Sequence, residues 1–207
     1  MKVMEIRKLK SENLYLVVFE NERNIKIGLE MLIKYNIIEG KDLTQEDIDT
    51  ILQEYEIKSA YNYALHLLER KMYPENQIRN KLFKKGFNEM VVEKTISKLK
   101  EYGFVNDEEY IKKYIEFSIT KKFGSRRIIT NLKQKGLHLK EKDIDINSET
   151  LYENAKLLAL KKLNIMAKDK KNVKQKLYNY LVYRGYDNEV IFKVLKEILN
   201  EHDGDLL

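Results

Sequence analysis

Leu82-Phe83-Lys84-Lys85-Gly86-Phe87, Leu132-Lys133-Gln134-Lys135-Gly136-Leu137 and Leu181-Val182-Tyr183-Arg184-Gly185-Tyr186 decide how this chain folds. Each places a leucine four residues before a glycine, a cation immediately before that glycine and an apolar or aromatic residue immediately after it. The glycines stand 50 and 49 residues apart, a period that signals a tandem architecture. Another aliphatic precedes each leucine by four places: Ile78, Ile128 and Leu177. Further back, Ala60, Ala64 and Leu67 come into register with Tyr110, Tyr114 and Phe117, and with Ala159, Leu163 and Met166, without a gap.

Apolar residues four apart share one face of a helix. Each repeat is therefore predicted to hold a first helix (60–71, 107–120 and 149–166) and a second that ends at the shared glycine. Glycine suits the left-handed position just past a helix end, and the Phe, Leu or Tyr after it can fold back on the last turn. A third helix is predicted in repeats one and three, where Val91, Val92, Ile96 and Leu99 match Val190, Ile191, Leu195 and Ile198. In repeat two Glu141 and Lys142 occupy the apolar slots and Ile144 and Ile146 stand alone, so the third helix there should be short or irregular. Asn106-Asp107-Glu108-Glu109 reads as an N-cap followed by acids, Ser125 as the next cap, and Pro74 as a first helical residue.

The segment ahead of the repeats reads differently. Leu14–Phe19 is β-branched and aromatic, Ile25 and Ile27 alternate with Asn24 and Lys26, and 20–23 looks like a hairpin connection. Val3–Leu9 is a candidate third strand. A short helix over Leu29–Tyr35 and a turn at Gly40 follow. Thr44-Gln45-Glu46-Asp47 then resembles a capping box opening a helix to about Ile57. The expected organisation is 1–58 as a small N-terminal β-hairpin and helix region, then repeats at 59–104, 105–147 and 148–207. The fold class is mainly α: three tandem three-helix repeats in an elongated array.

Composition agrees with solvent-washed helices, since 43% of residues are hydrophobic, 35% are charged and there is one proline. Cysteine is absent, which excludes disulfides and thiolate metal sites and fits a reducing compartment. No charge-free apolar run approaches the ~20 residues of a membrane helix, and Met1–Lys10 lacks a signal-peptide core. A cytoplasmic monomer with no membrane partner is expected. The net charge of +6 is uneven: residues 1–58 hold 9 Lys/Arg against 12 Asp/Glu, leaving +9 on the rest. A basic body points to an anionic partner, nucleic acid or an acidic protein surface.

No chemistry-bearing constellation emerges. The eight glycines never take the spacing of a phosphate-binding loop, and there is no Gly-x-Ser-x-Gly elbow. His66, His138 and His202 are far apart and read as ordinary surface or boundary residues. Asp107, Glu108 and Glu109 suit a helix N-terminus, and Tyr110 and Tyr114 suit a core face. No catalytic residue, cofactor, metal or small-molecule substrate is expected.

The cations divide into two sets. Lys85, Lys135 and Arg184 precede the shared glycine, where either the helix dipole or a partner would account for them. Lys71, Lys121 and Lys170 lie at one repeat position near the entrance of the second helix, where the dipole gives no reason for a cation. Arg126, Arg127, Lys171 and Lys174 crowd the same region, which reads as an anion-facing surface. With Lys84 and Lys122, these form the candidate partner or nucleic-acid contact set.

Taken together, these residues resemble the RecX family. The resemblance rests on Ala64-Leu65, Leu82–Phe87, Asn106–Tyr110, Gly124 with Ile128 and Leu132–Leu137, and Tyr180–Tyr186. The head, with its Gly40-Lys41-Asp42-Leu43-Thr44 turn, looks like the longer form of low-GC Gram-positive members. Lys71-Met72-Tyr73-Pro74 departs from the Arg-x-Arg-Ser that the family favours. The resemblance implies three tandem repeats and a non-enzymatic regulator. Such a protein would lie in the groove of the RecA filament on single-stranded DNA, contact neighbouring protomers and limit recombinase and coprotease activity. Some members also bind DNA. A direct DNA-binding helical module and a helical adaptor for an unrelated protein are the alternatives.

Overall fold

In the computed structural model, which describes residues 1–10, 13–166 and 172–204, the alternation around Ile25 and Ile27 becomes an antiparallel sheet. Strand β2 (Leu14–Phe19) lies between β1 (Val3–Lys8) and β3 (Asn24–Gly28), so the candidate third strand joins the hairpin. Phe19 opposes Val3 and Val17 opposes Ile25, with an irregularity between Val3 and Glu5. Helix α1 (Leu29–Lys34) and the start of α2 (Gln45–Leu68) close this core with Met31, Leu32, Ile48 and Ile51. Thr44 opens α2 with a complete capping box: its hydroxyl accepts from Asp47 N at 3.0 Å, and the Asp47 carboxylate accepts from Thr44 N at 2.8 Å.

The break expected near Ile57 is absent. Glu56-Ile57-Lys58-Ser59-Ala60 contains neither glycine nor proline, so α2 runs through it and the expected 58/59 boundary falls inside a helix. One helix thus serves two cores. Its later half contributes the fully buried Ala60 and Ala64, which meet Ile78 and Leu82 of α3 (Glu75–Lys85) and Val91, Val92, Ile96 and Leu99 of α4 (Glu89–Glu101). Head and first repeat form one compact unit, Met1–Val105. Pro74 is the extended residue capping α3 (φ −70°, ψ 157°), one place before the expected first helical position.

The second unit, Asn106–Leu207, holds α5 (Asp107–Thr120), α6 (Ser125–Lys133), α7 (Ser148–Ile165), α8 (Val173–Arg184) and α9 (Asn188–Gly204). Asn106 caps α5 by accepting from Glu109 N at 3.0 Å. Between α6 and α7 the third helix shrinks to a 3-10 turn, Glu141–Asp143, as the polar residues at its apolar slots require. Ile144 and Ile146 pack half-buried on Ile128, Leu132 and Leu137, forming a thin core. On α7 the fully buried pair is Ala155 and Ala159, one turn earlier than the ungapped register places it. A four-residue shift keeps the same helix face, which is why both registers look apolar.

Gly86, Gly136 and Gly185 are left-handed, with φ of 98°, 88° and 89°. In each case the next residue donates back to the leucine carbonyl five places earlier: Phe87 to Leu82 (3.3 Å), Leu137 to Leu132 (3.0 Å) and Tyr186 to Leu181 (3.1 Å). A Cβ on Gly86 would meet nothing within 4 Å, so only its φ is constrained. Gly86→Ala should therefore destabilise unit one by about 1–2 kcal/mol, and Gly86→Asn by less, measured as shifts in the urea midpoint.

Glu75 accepts from Lys100 Nζ and from Arg79, each at 2.9 Å, and Arg79 also pairs with Glu93. Hydrogen bonds from Lys100 and then Arg79 hold the Glu75 carboxyl below its ordinary 4.5. On α2, Lys34 and then Tyr35 do the same to Glu54. A carboxyl depressed in the fold contributes stability above its unfolded value and loses it as pH falls through the folded value. Acid titration of unfolding should show stability falling below pH 4.5. Glu75→Gln should flatten that slope.

Candidate functional site

Helix α3 carries polar side chains at Gln77, Asn80, Lys81 and Lys84, the spacing of a single helix stripe. With Lys71 and Tyr73 from the connection before it, they line a shallow groove of about 360 Å³. The ammonium groups of Lys71 and Lys81 lie 4.7 and 5.1 Å from the Tyr73 ring centroid. The lining holds three lysines and no carboxylate, so its potential is positive. Sequence reasoning picked out Lys71 and Lys84 but missed Tyr73 and Lys81. The 77/80/81/84 stripe would have revealed the face.

The cations before the shared glycine behave differently. Lys85 sits 5.7 Å from the Tyr63 ring and Lys135 5.5 Å from the Tyr114 ring, each packing on the first helix of its own repeat. Arg184 instead reaches across to repeat two. It donates to the carbonyls of Lys121 and, at 2.9 Å, Lys122, and lies 4.8 Å from the Phe123 ring. Lys122 takes the left-handed position after α5 (φ 55°), and its Nζ donates to Asn154 Oδ1 at 3.2 Å. The Lys121 side chain is exposed, 5.5 Å from the Phe117 ring.

These contacts belong to a joint between α6 and the end of α8. Gly124 N donates to Arg184 O at 2.9 Å, and Arg126 N to Gly185 O at 3.1 Å. The Tyr186 hydroxyl donates to Lys122 O at 3.0 Å; burial pushes its pKa up, so it keeps that proton. Arg127 lies between Phe123 and Tyr183, 4.6 and 4.8 Å from their centroids, and donates to Tyr183 O at 3.1 Å. Arg126 pairs with Asp187 at 2.5 Å and Glu141 at 3.6 Å.

Ser125 does not cap α6 as expected. Gly124 is the cap residue, without a side-chain bond, because a Cβ there would lie 2.2 Å from Gly185 O. A bare glycine where Ser, Thr, Asn or Asp usually caps was the available signal. Arg126, Arg127 and Arg184 thus have partners inside the chain, although their charge pointed outward in the sequence. Lys174 lies elsewhere, in a groove on α8 and α9 with Asn172, Gln175, Tyr178, Phe192 and Leu195. Lys170 and Lys171 lie outside the described residues. Among the described residues no helix is long and apolar enough to cross a membrane.

Residues 60–99 match the first three-helix domain of RecX, and residues 149–195 match the third. Regulatory protein RecX of Clostridium acetobutylicum is 34% identical over 195 residues, covering 90% of this chain and 91% of its own length. The chain belongs to the RecX family. The RecX of Caldanaerobacter subterraneus subsp. tengcongensis is also 34% identical, over 94% of this chain and 98% of its own. A crystal structure of regulatory protein RecX superposes with a TM-score of 0.69 at 26% identity, over 95% of this chain and 98% of that one. RecX from Lactobacillus salivarius shares the fold, with a TM-score of 0.62 at 23% identity over 73% of this chain and 98% of its own. As a RecX-family protein, the chain is a regulator and not an enzyme.

The φ of Gly124 (−77°) suits any residue, so only the collision with Gly185 resists a side chain. Gly124→Ala should cost unit two about 1–3 kcal/mol through overpacking. Urea unfolding followed by tyrosine fluorescence measures this, and an unchanged midpoint contradicts the joint.

Proposed function

We propose that this RecX protein binds the RecA filament on single-stranded DNA and inhibits its recombinase and coprotease activities. Family membership over nearly the whole chain carries the reading. In this reading the helices form three tandem three-helix repeats, at 59–104, 105–147 and 148–207 after the head, and the protein acts as a cytoplasmic monomer. Tandem repeats make long surfaces, which suits a partner built of successive identical subunits. The Lys71–Tyr73–Lys81–Lys84 groove supports contact with an anionic part of the filament. Lys121 and Lys174 extend the proposed contact set, while the three arginines of the joint act by holding α6 on α8.

A second reading, direct binding to DNA, draws on the same groove, whose three lysines suit phosphates. Its affinity would fall steeply with salt whether or not RecA is present. The deciding experiment adds the protein to RecA filaments on single-stranded DNA and follows ATP hydrolysis and strand exchange. Both should be suppressed, and the folded double variant Lys71→Glu, Lys84→Glu should need a higher concentration for the same effect. Strand exchange that proceeds unchanged with the parent protein refutes the proposal.

A further inference from the structure

From Glu75 to Lys100, repeats one and three align at a constant offset of 99 residues. Beneath the surface the pairs are conservative: Ile78 with Leu177, Leu82 with Leu181, Val92 with Ile191 and Ile96 with Leu195, all buried. On the surface they diverge. In repeat one Glu75, Arg79, Glu93 and Lys100 form a charged network that ties α3 to α4. The same positions in repeat three are Lys174, Tyr178, Phe192 and Leu199. Tyr178 and Phe192 stack with centroids 5.8 Å apart and planes 27° apart, and Phe192 stays 56% exposed.

Beside that stack lies a groove of about 430 Å³, lined also by Asn172, Lys174, Gln175 and Leu195. An ion pair holds the two helices together in repeat one, so helix packing alone does not call for an exposed phenylalanine. The lining is aromatic and aliphatic, with one cation, two amides and no carboxylate. An apolar centre with a polar rim is the make-up of a protein-binding hot spot. A polyanion is better matched by the three lysines of the α3 groove than by one lysine here.

We infer that the α8–α9 face of repeat three docks an apolar side chain carried on an acid-flanked segment of the filament's protein component. Lys174 meets the acidic flank, and the exposed ring of Phe192 receives the apolar group above the buried Leu195. This inference rests on the RecA reading above.

The test transplants the repeat-one pair, as Tyr178→Arg with Phe192→Glu in the full chain. The exchange keeps net charge and offers the same cross-helix tie as Arg79 with Glu93. Phe192→Gln alone serves if the double variant fails to fold. Helicity and melting temperature are compared with the parent, and affinities are measured for RecA filaments and for naked single-stranded DNA. Filament affinity should fall about tenfold or more, with naked-DNA affinity held within about twofold. Unchanged filament affinity means that the rings only clasp the helices, and overturns the inference alone. An equal loss on naked DNA overturns it in favour of a nucleic-acid surface. A parent that does not bind filaments removes the RecA reading and this partner together.

Discussion

A left-handed turn after each second helix governs what the chain can do next. At Gly86, Gly136 and Gly185 the backbone enters a region costly for a side-chain-bearing residue, and the following N–H returns to a leucine carbonyl. Because that leucine is fully buried, the returning residue is carried toward its core: Phe87 half-buried, Leu137 and Tyr186 buried. In repeats one and three the next helix starts three residues past the glycine and lays its apolar stripe on the same core. In repeat two the identical turn delivers a chain whose apolar slots hold Glu141 and Lys142. A 3-10 turn and two isoleucines then do the covering that a helix does elsewhere.

The last of these turns has a second role, because α6 begins directly against it. Helix ends leave carbonyls without internal partners, and those of Lys121 and Lys122 take the guanidinium of Arg184 and the hydroxyl of Tyr186. A guanidinium offers five donors in a planar fork, and here two of its roles, carbonyl capping and packing on Phe123, are met together. Lysine could not combine them in one geometry. This explains why the cation before the glycine is arginine in repeat three, while Lys85 and Lys135 merely cover rings of their own repeats.

Much of this architecture could be read from spacing. The glycine turns, the Asn106 cap, the Thr44 box and the failing third helix of repeat two each follow from local rules that need few residues. What escaped was non-local. The absence of a breaker between Glu56 and Ala60 left α2 free to continue, but that its two halves feed two different cores is not visible in the sequence. The shift of the buried alanines to Ala155 and Ala159 escaped because a one-turn slip preserves the apolar face. Arg127 and Arg184 were legible as charge but not as structure, since the carbonyls they satisfy lie more than fifty residues away. Gly124 was visible as a glycine, but its reason, the backbone of Gly185, was not.

Shared cores also leave the repeat surfaces free to diverge. The interior positions of repeats one and three stay apolar and close in size, differing by one methylene where Val92 matches Ile191, because close-packed interiors resist larger changes. Nothing comparable restrains the outward positions, provided that the two helices remain tied. Repeat one uses that freedom for a lysine-lined groove on α3 and an ion network toward α4, and repeat three for an aromatic stack beside a single lysine. A regulator built this way can separate two demands that conflict on one surface. Long-range attraction to an anionic partner needs solvated charge and weakens with salt. Short-range specificity needs desolvated apolar contact, which charge would oppose. In the proposed reading, duplicating the helical unit lets each demand be met on a different copy without disturbing the packing that both copies share.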